Sequence, residues 1–147
     1  MSPNPRHNGK GTNFSDLLEF HVPADSKAIG NVTDRIIEAL EGLGIAEEKR
    51  LEIQLAVQEA LANAVVHGCK NDPAKEIHCR VQADPAGGGV LITVTDPGPG
   101  FSPDRLADPK SAERVQADHG RGIYLIRELM DEVSFQGGGN QITMRKY

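Results

Sequence analysis

The stretch Gln58-Glu59-Ala60-Leu61-Ala62-Asn63-Ala64-Val65-Val66-His67-Gly68 sets Glu59, Asn63 and His67 four residues apart in a run of small apolar residues. Positions i, i+4 and i+8 share one helical face. Leu51, Leu55, Ala62 and Val65 line one side of the surrounding segment, and Ile53, Val57, Ala60, Leu61 and Ala64 widen it. That spread of apolar residues predicts a helix over about 46–66, seated deep in the fold and stopped by Gly68. Burying an unpaired hydroxyl or amide costs on the order of 2–7 kcal/mol. A carboxylate, an amide and an imidazole in a row therefore either border a cavity or form a solvent-facing stripe. The stretch alone allows both.

Outward from this helix the periods are clear. Leu17 to Val22 alternates as a short strand, and Pro23-Ala24-Asp25-Ser26 offers a turn and a helix cap. Ile29, Val32, Ile36, Ile37 and Leu40 recur at helical spacing until Gly42 and Gly44. After Gly68 the period becomes two, with strands over 76–83 and 90–95 joined by a hairpin across 84–89. The Gly- and Pro-rich stretch from Asp96 to Pro109 reads as loop. Ile123, Ile126, Arg127 and Met130 predict a helix over 122–130. A closing hairpin pairs 133–136 with 141–144 across Gly137-Gly138-Gly139-Asn140. The order β-α-α-β-β-loop-α-β-β predicts an α+β, two-layer fold: a mixed, mainly antiparallel sheet covered by helices on one face. Regular βαβ alternation is absent, which argues against a doubly wound sheet, and there is no internal repeat.

Two further segments carry chemistry. Asp96-Pro97-Gly98-Pro99-Gly100-Phe101 follows a strand directly. A strand-end carboxylate there can accept a hydrogen bond from an exocyclic amine, while Gly98 and Gly100 permit close backbone approach. A turn that simply needs glycine explains this segment alone as well. His119-Gly120-Arg121-Gly122-Ile123 opens a helix, whose free N–H groups and positive end suit phosphate. It lacks the third glycine of a dinucleotide fingerprint, and no G-x-x-x-x-G-K-[ST] occurs anywhere in the chain.

Composition sets bounds. The 147 residues suit one domain, and a net charge of −5 without a basic run argues against phosphate-neutralising nucleic-acid binding. No apolar run approaches the ~18 residues of a spanning helix, so no membrane contact is expected. Residues 1–13 are polar, rich in Pro, Asn and Gly, and read as a disordered leader with no signal-peptide centre. Cys69 and Cys79 lack CxxC spacing and read as reduced, structural thiols in a cytoplasmic protein.

The order of the three polar segments decides more than any one of them. E-x-x-x-N on an apolar helix, then a strand followed by D-x-G-x-G, then G-x-G opening a helix resembles the N, G1 and G2 boxes of the Bergerat ATPases. That family includes gyrase B, Hsp90, histidine kinases and MutL. Within it, Gln58 to Gly68 and Asp118-His119-Gly120-Arg121-Gly122-Ile123-Tyr124-Leu125-Ile126 are most similar to the anti-sigma-factor serine/threonine protein kinases of the stress-response and sporulation type. The resemblance covers roughly 17–146 and implies a histidine kinase-like ATP-binding domain over 14–147. It implies Mg²⁺-ATP, with Asn63 holding the metal, Glu59 as general base, and Asp96 accepting from the adenine amine. Gly98 and Gly100 would pass the backbone close to the nucleotide, and Gly120, Arg121 and Gly122 would meet phosphate. His67 would sit at the pocket edge, either on the nucleotide or on local carbonyls.

The implied partners are a sigma factor and a STAS-type antagonist phosphorylated on Ser or Thr, with homodimerisation. An apolar excess on the first helix is the sequence's own hint of the dimer. Asp118 stands where the sporulation-type protein has Arg, with Arg121 and Arg114 as nearby cations. Gln141 and Thr143 stand near a usual adenine-holding Thr. The segment Ser102 to Asp118 implies a small ATP lid. A nucleotide-gated partner-switching protein without turnover is the alternative. A histidine kinase catalytic domain is less favoured, because nothing before Leu17 could supply its dimerising hairpin.

Overall fold

The computed structural model describes residues 14–84, 86–98, 121–137 and 140–147, with residue 121 described by its backbone alone. The leader over 1–13, Gly100, His119, Gly120, Arg114, Asp118 and the lid segment over 102–118 lie outside the described residues. The elements run β1 (Ser15–Pro23), α1 (Lys27–Gly42), α2 (Glu47–Asn63), a wide turn (Ala64–Gly68), β2 (Glu76–Asp84) and β3 (Gly89–Thr95). Then come α3 (Arg121–Leu129), β4 (Glu132–Gln136) and β5 (Gln141–Lys146). Every expected element is present, with boundaries within a few residues.

The strands form one sheet in the order β1-β2-β3-β5-β4. All four pairings among the described residues are antiparallel, so the sheet is uniformly antiparallel rather than mixed. Strict alternation assigns its faces. Ile77, Cys79 and Val81 of β2, Val90, Ile92 and Val94 of β3, and Met144 of β5 are buried toward the helices. The intervening His78, Arg80, Gln82, Thr93 and Thr95 occupy the other face, as a period of two requires.

α2 is the central helix. It packs against both α1 and α3 and reaches β3 and β5 beneath it. Its buried residues are Ile53, Ala56, Val57, Ala60 and Leu61, continued by Ala64 and Val65. Leu51 and Leu55, expected on the buried side, are instead 53% and 47% exposed. They lie on the Glu59–Asn63 stripe and not on the Ile53–Val57–Leu61 stripe that faces the sheet. The amphipathic arc is thus narrower than the apolar count suggested. The apolar excess on α1, expected as a hint of dimerisation, is taken up within the domain. Val32, Ile36 and Leu40 of α1 are buried, and Ile29 and Ile37 pack against the core, so α1 spends its apolar surface within the domain.

Within the Pro23-Ala24-Asp25-Ser26 turn the helix cap falls on Asp25. Ser26 makes no side-chain cap bond. The Asp25 carboxylate does that work, accepting from the Lys27 N–H at 2.9 Å.

Leu61→Ala or Ile53→Ala is expected to cost about 2–5 kcal/mol, lowering the urea midpoint at constant slope. Leu51→Ala and Leu55→Ala should each cost no more than about 0.5 kcal/mol. Equal losses for the two pairs would contradict this orientation of α2.

Candidate functional site

α2 does not end as an ordinary α-helix. After Asn63 the chain widens into a π-turn over Ala64–Gly68, in which the Cys69 N–H donates to the Ala64 carbonyl at 2.8 Å. The Asn71 N–H donates to the Val65 carbonyl at 2.8 Å. Lys70 and Asn71 then take left-handed φ values of 53° and 60° and turn the chain away. Such wide turns interrupt helices where a local geometric demand overrides regular hydrogen bonding. Here the demand comes from the end of β3.

Asp96 follows Thr95 and therefore points to the helix side of the sheet. A Cβ on Gly68 would lie within 2.5 Å of both Asp96 carboxylate oxygens. A Cβ on Gly98 would overlap the Gly68 carbonyl oxygen. The end of α2 and the turn after β3 are thus in backbone-to-backbone contact, with the Asp96 side chain between them. Asp96 is held from three directions. Its Oδ1 accepts from the Gly98 N–H at 2.7 Å. Its own N–H donates to the Asn140 carbonyl at 3.0 Å, and the Asn140 side-chain amide donates back to the Asp96 carbonyl at 2.9 Å.

Burial pushes the Asp96 carboxyl above its ordinary range, an effect partly opposed by the Gly98 hydrogen bond. A raised folded-state pKa means that the ionised carboxylate is disfavoured by folding. This group's contribution to stability is present below the unfolded carboxyl range and is lost as pH rises through the raised value. The neighbouring Cys69 thiol is fully buried and unpaired with Cys79. Burial first, and the Asp96 charge second, push it above the usual thiol value. A thiol held in that form is a poor nucleophile, consistent with a structural role.

The second half of the site joins α2 to α3. Gly122, in the first turn of α3, is buried against the polar face of α2. A Cβ there would stand 2.8 Å from Glu59 Oε1 and 3.2 Å from Asn63 Nδ2. Glu59 and Asn63 therefore lie side by side beneath the N-terminal turn of α3, both half-buried. His67 is half-buried in the widened turn, whose larger period takes it off the straight i, i+4, i+8 line expected from the sequence.

Of the expected site residues, Glu59, Asn63, Asp96, Gly98 and Gly122 are brought together around the α2 terminus. Arg121 has only its backbone described, at the start of α3. Gln141 and Thr143 are on the other face of the sheet, across from Thr95 and Thr93. There Gln141 accepts from Thr95 at 3.1 Å and donates to Gln136 at 2.8 Å, and Thr143 donates to Gln136 at 3.2 Å. They do not line the Asp96 site. Two residues that matter were missed. Gly68 was read only as a helix stop, and Asn140 only as a hairpin residue. A glycine directly after the polar stripe was the available signal for the first, whereas no local pattern marks the second.

The chain matches a known family over residues 22–146, that of the histidine kinase-like ATPase domain. This chain belongs to that family. It is 29% identical over 147 residues to "Serine-protein kinase RsbW" of Bacillus subtilis (strain 168), covering 92% of this chain and 88% of the relative. It is 29% identical over 139 residues to the protein of that name from Bacillus pumilus (strain SAFR-032), covering 90% and 86%. With "Anti-sigma F factor" of Bacillus cytotoxicus (strain DSM 22905 / CIP 110041 / 391-98 / NVH 391-98) it shares 27% identity over 135 residues, 88% of this chain and 90% of the relative. Among the described residues no helix is long and apolar enough to cross a membrane.

Gly68→Ala should destabilise the domain by about 1–3 kcal/mol through overpacking, with a smaller loss when Asp96→Ala is also present. Denaturant unfolding of the four proteins in the cycle measures that coupling. Additive losses would contradict the close approach of Gly68 to Asp96.

Proposed function

We propose that this domain is a Mg²⁺-ATP-dependent protein-serine/threonine kinase that phosphorylates an antagonist protein and sequesters a sigma factor. The observation that carries the reading is the juxtaposition of Glu59 and Asn63 under the first turn of α3, with Asp96 across the end of the same helix. The names of the relatives, which span nearly the whole chain, support the same class.

The residues suit the group they would hold. Asn63 supplies a neutral amide oxygen of the hard type that Mg²⁺ accepts. It stands one helical turn from the Glu59 carboxylate, close enough for one ligand to meet both. Mg²⁺, when bound with ATP, neutralises charge on the phosphates being separated. The chain's own residues supply the rest. Glu59 takes the proton from the attacking hydroxyl of the partner protein. Asn63 fixes the phosphate end. The backbone N–H groups opening α3 at Arg121 and Gly122, preceded by Gly120, meet the phosphate oxygens. Asp96 accepts from the exocyclic amine of adenine, which sets ATP above GTP; the half-buried carboxylate, disfavoured by burial, gains a donor there. Gly98 and Gly100 let the backbone lie close to the nucleotide, and His67 borders it.

On this reading the partners are a sigma factor and a STAS-type antagonist, the protein acts in the cytoplasm, and it works as a homodimer. A second reading is a nucleotide-gated binding protein without turnover. Asp118, where the resemblance leads one to expect a cation, favours it.

The two separate in a γ-phosphate transfer assay with radiolabelled ATP and a candidate antagonist. Glu59→Gln should retain ATP affinity in calorimetry and lose transfer by about 10²-fold or more. Asn63→Ala should lose Mg²⁺-dependent ATP binding itself. Normal transfer by Glu59→Gln removes it as the base, and the absence of transfer by the unmodified protein, with ATP bound, favours the non-catalytic reading.

A further inference from the structure

On the face of the sheet opposite the helices, β1 and β2 bring together a group that the nucleotide site does not use. His21 and His78 are direct cross-strand partners in the antiparallel ladder. Their rings stand 5.0 Å apart, tilted by 36°. Glu19 is two residues before His21 and so projects from the same face of β1. Its Oε2 lies 2.5 Å from His78 Nε2. One ligand atom from each of Glu19, His21 and His78 falls within 4.8 Å of the others.

We propose that Glu19, His21 and His78 form a surface site for a divalent transition-metal ion, with Zn²⁺ as the natural occupant. Two imidazoles and one carboxylate are the donor set of open zinc sites, in which water completes the coordination. Imidazole donors favour Zn²⁺, Cu²⁺ and Ni²⁺ over Mg²⁺ and Ca²⁺, which prefer all-oxygen shells. The site is therefore chemically distinct from the one built around Asn63. Its backbone is fixed by the sheet. Glu19 and His21 are held two residues apart on β1, and His78 is held opposite by the ladder. Only side-chain rotation is needed to draw three ligand atoms from within 4.8 Å of one another onto one ion.

The surrounding charges permit it. Arg80, the cross-strand partner of Glu19 on this face, is engaged by Asp16 at 2.8 Å. Glu19 itself is the anion that would offset the metal charge. A metal here would tie the edge strand β1 to β2 on the far side of the sheet from α2, leaving Gly68, Asp96 and Asn63 untouched. The bland alternative is a solvent-exposed His–Glu hydrogen bond with no metal.

The full-length protein without nucleotide, titrated with ZnCl₂ in a calorimeter, tests this. The expected result is one saturable site that raises the melting temperature through mass action. In His21→Ala/His78→Ala, affinity should fall by at least the roughly 10–100-fold that loss of even an outer-shell partner costs. Glu19→Gln, which preserves shape and cannot unfold the edge strand by leaving a gap, should weaken binding without abolishing it. Co²⁺ substitution should give visible bands of nitrogen and oxygen ligation without thiolate charge transfer, and the His21 and His78 ring resonances should shift together. Absence of saturable binding overturns the proposal. So does unchanged affinity in the double variant, which would place the metal on other histidines, and so does a thiolate spectrum, which would place it on Cys69 or Cys79.

Discussion

The end of α2 and the turn after β3 approach so closely that neither Gly68 nor Gly98 has room for a Cβ. Nearly every other feature of the site follows from that contact. To reach the turn, α2 leaves α-helical geometry after Asn63 and widens into the π-turn. Because the turn is met by backbone, the Asp96 carboxylate is enclosed between two glycines and held by the Gly98 N–H. Enclosure removes water from Asp96 and raises its pKa. A larger residue at either glycine would separate helix from strand, and the Asp96 carboxylate would lose the walls that orient it.

The same helix supports the opposite end of the site by a second close approach. Gly122 seats α3 on the polar face of α2, above Glu59 and Asn63. The carboxylate and the amide are thus covered by the turn whose free N–H groups suit phosphate. The sheet stripe of α2, Ile53, Val57 and Leu61, is fully buried and fixes the helix rotation that makes both approaches possible. Packing on the sheet occupies one stripe of the helix, and the Glu59–Asn63 pair occupies the other. The exposed Leu51 and Leu55 continue the Glu59–Asn63 stripe toward the start of the helix.

Much of this was legible in the sequence because the signals were periodic. Separate runs of period 2 and of period near 3.6 gave every element and the two-layer class, and the i, i+4 spacing of Glu59 and Asn63 placed both on one face. What was not legible depended on residues distant in sequence. Apolar content around α2 could not say which stripe meets the sheet, so Leu51 and Leu55 were assigned to the wrong side. Nothing local marks Asn140 as the partner of Asp96, forty-four residues earlier. Gln141 and Thr143 fall on the far face because a strand's alternation is fixed by its neighbours, and their position along the chain alone does not reveal it.

The most direct test of this account is isothermal titration of the full chain with ATP, with and without Mg²⁺, and with GTP as the comparison. The account predicts saturable binding that strengthens with Mg²⁺ and favours ATP, since on the proposed reading Asp96 accepts from an amine that guanine replaces with a carbonyl at the corresponding ring position. Equal affinity for ATP and GTP would contradict the role given to Asp96. Absence of binding to either would contradict the reading of the α2 terminus as a nucleotide site.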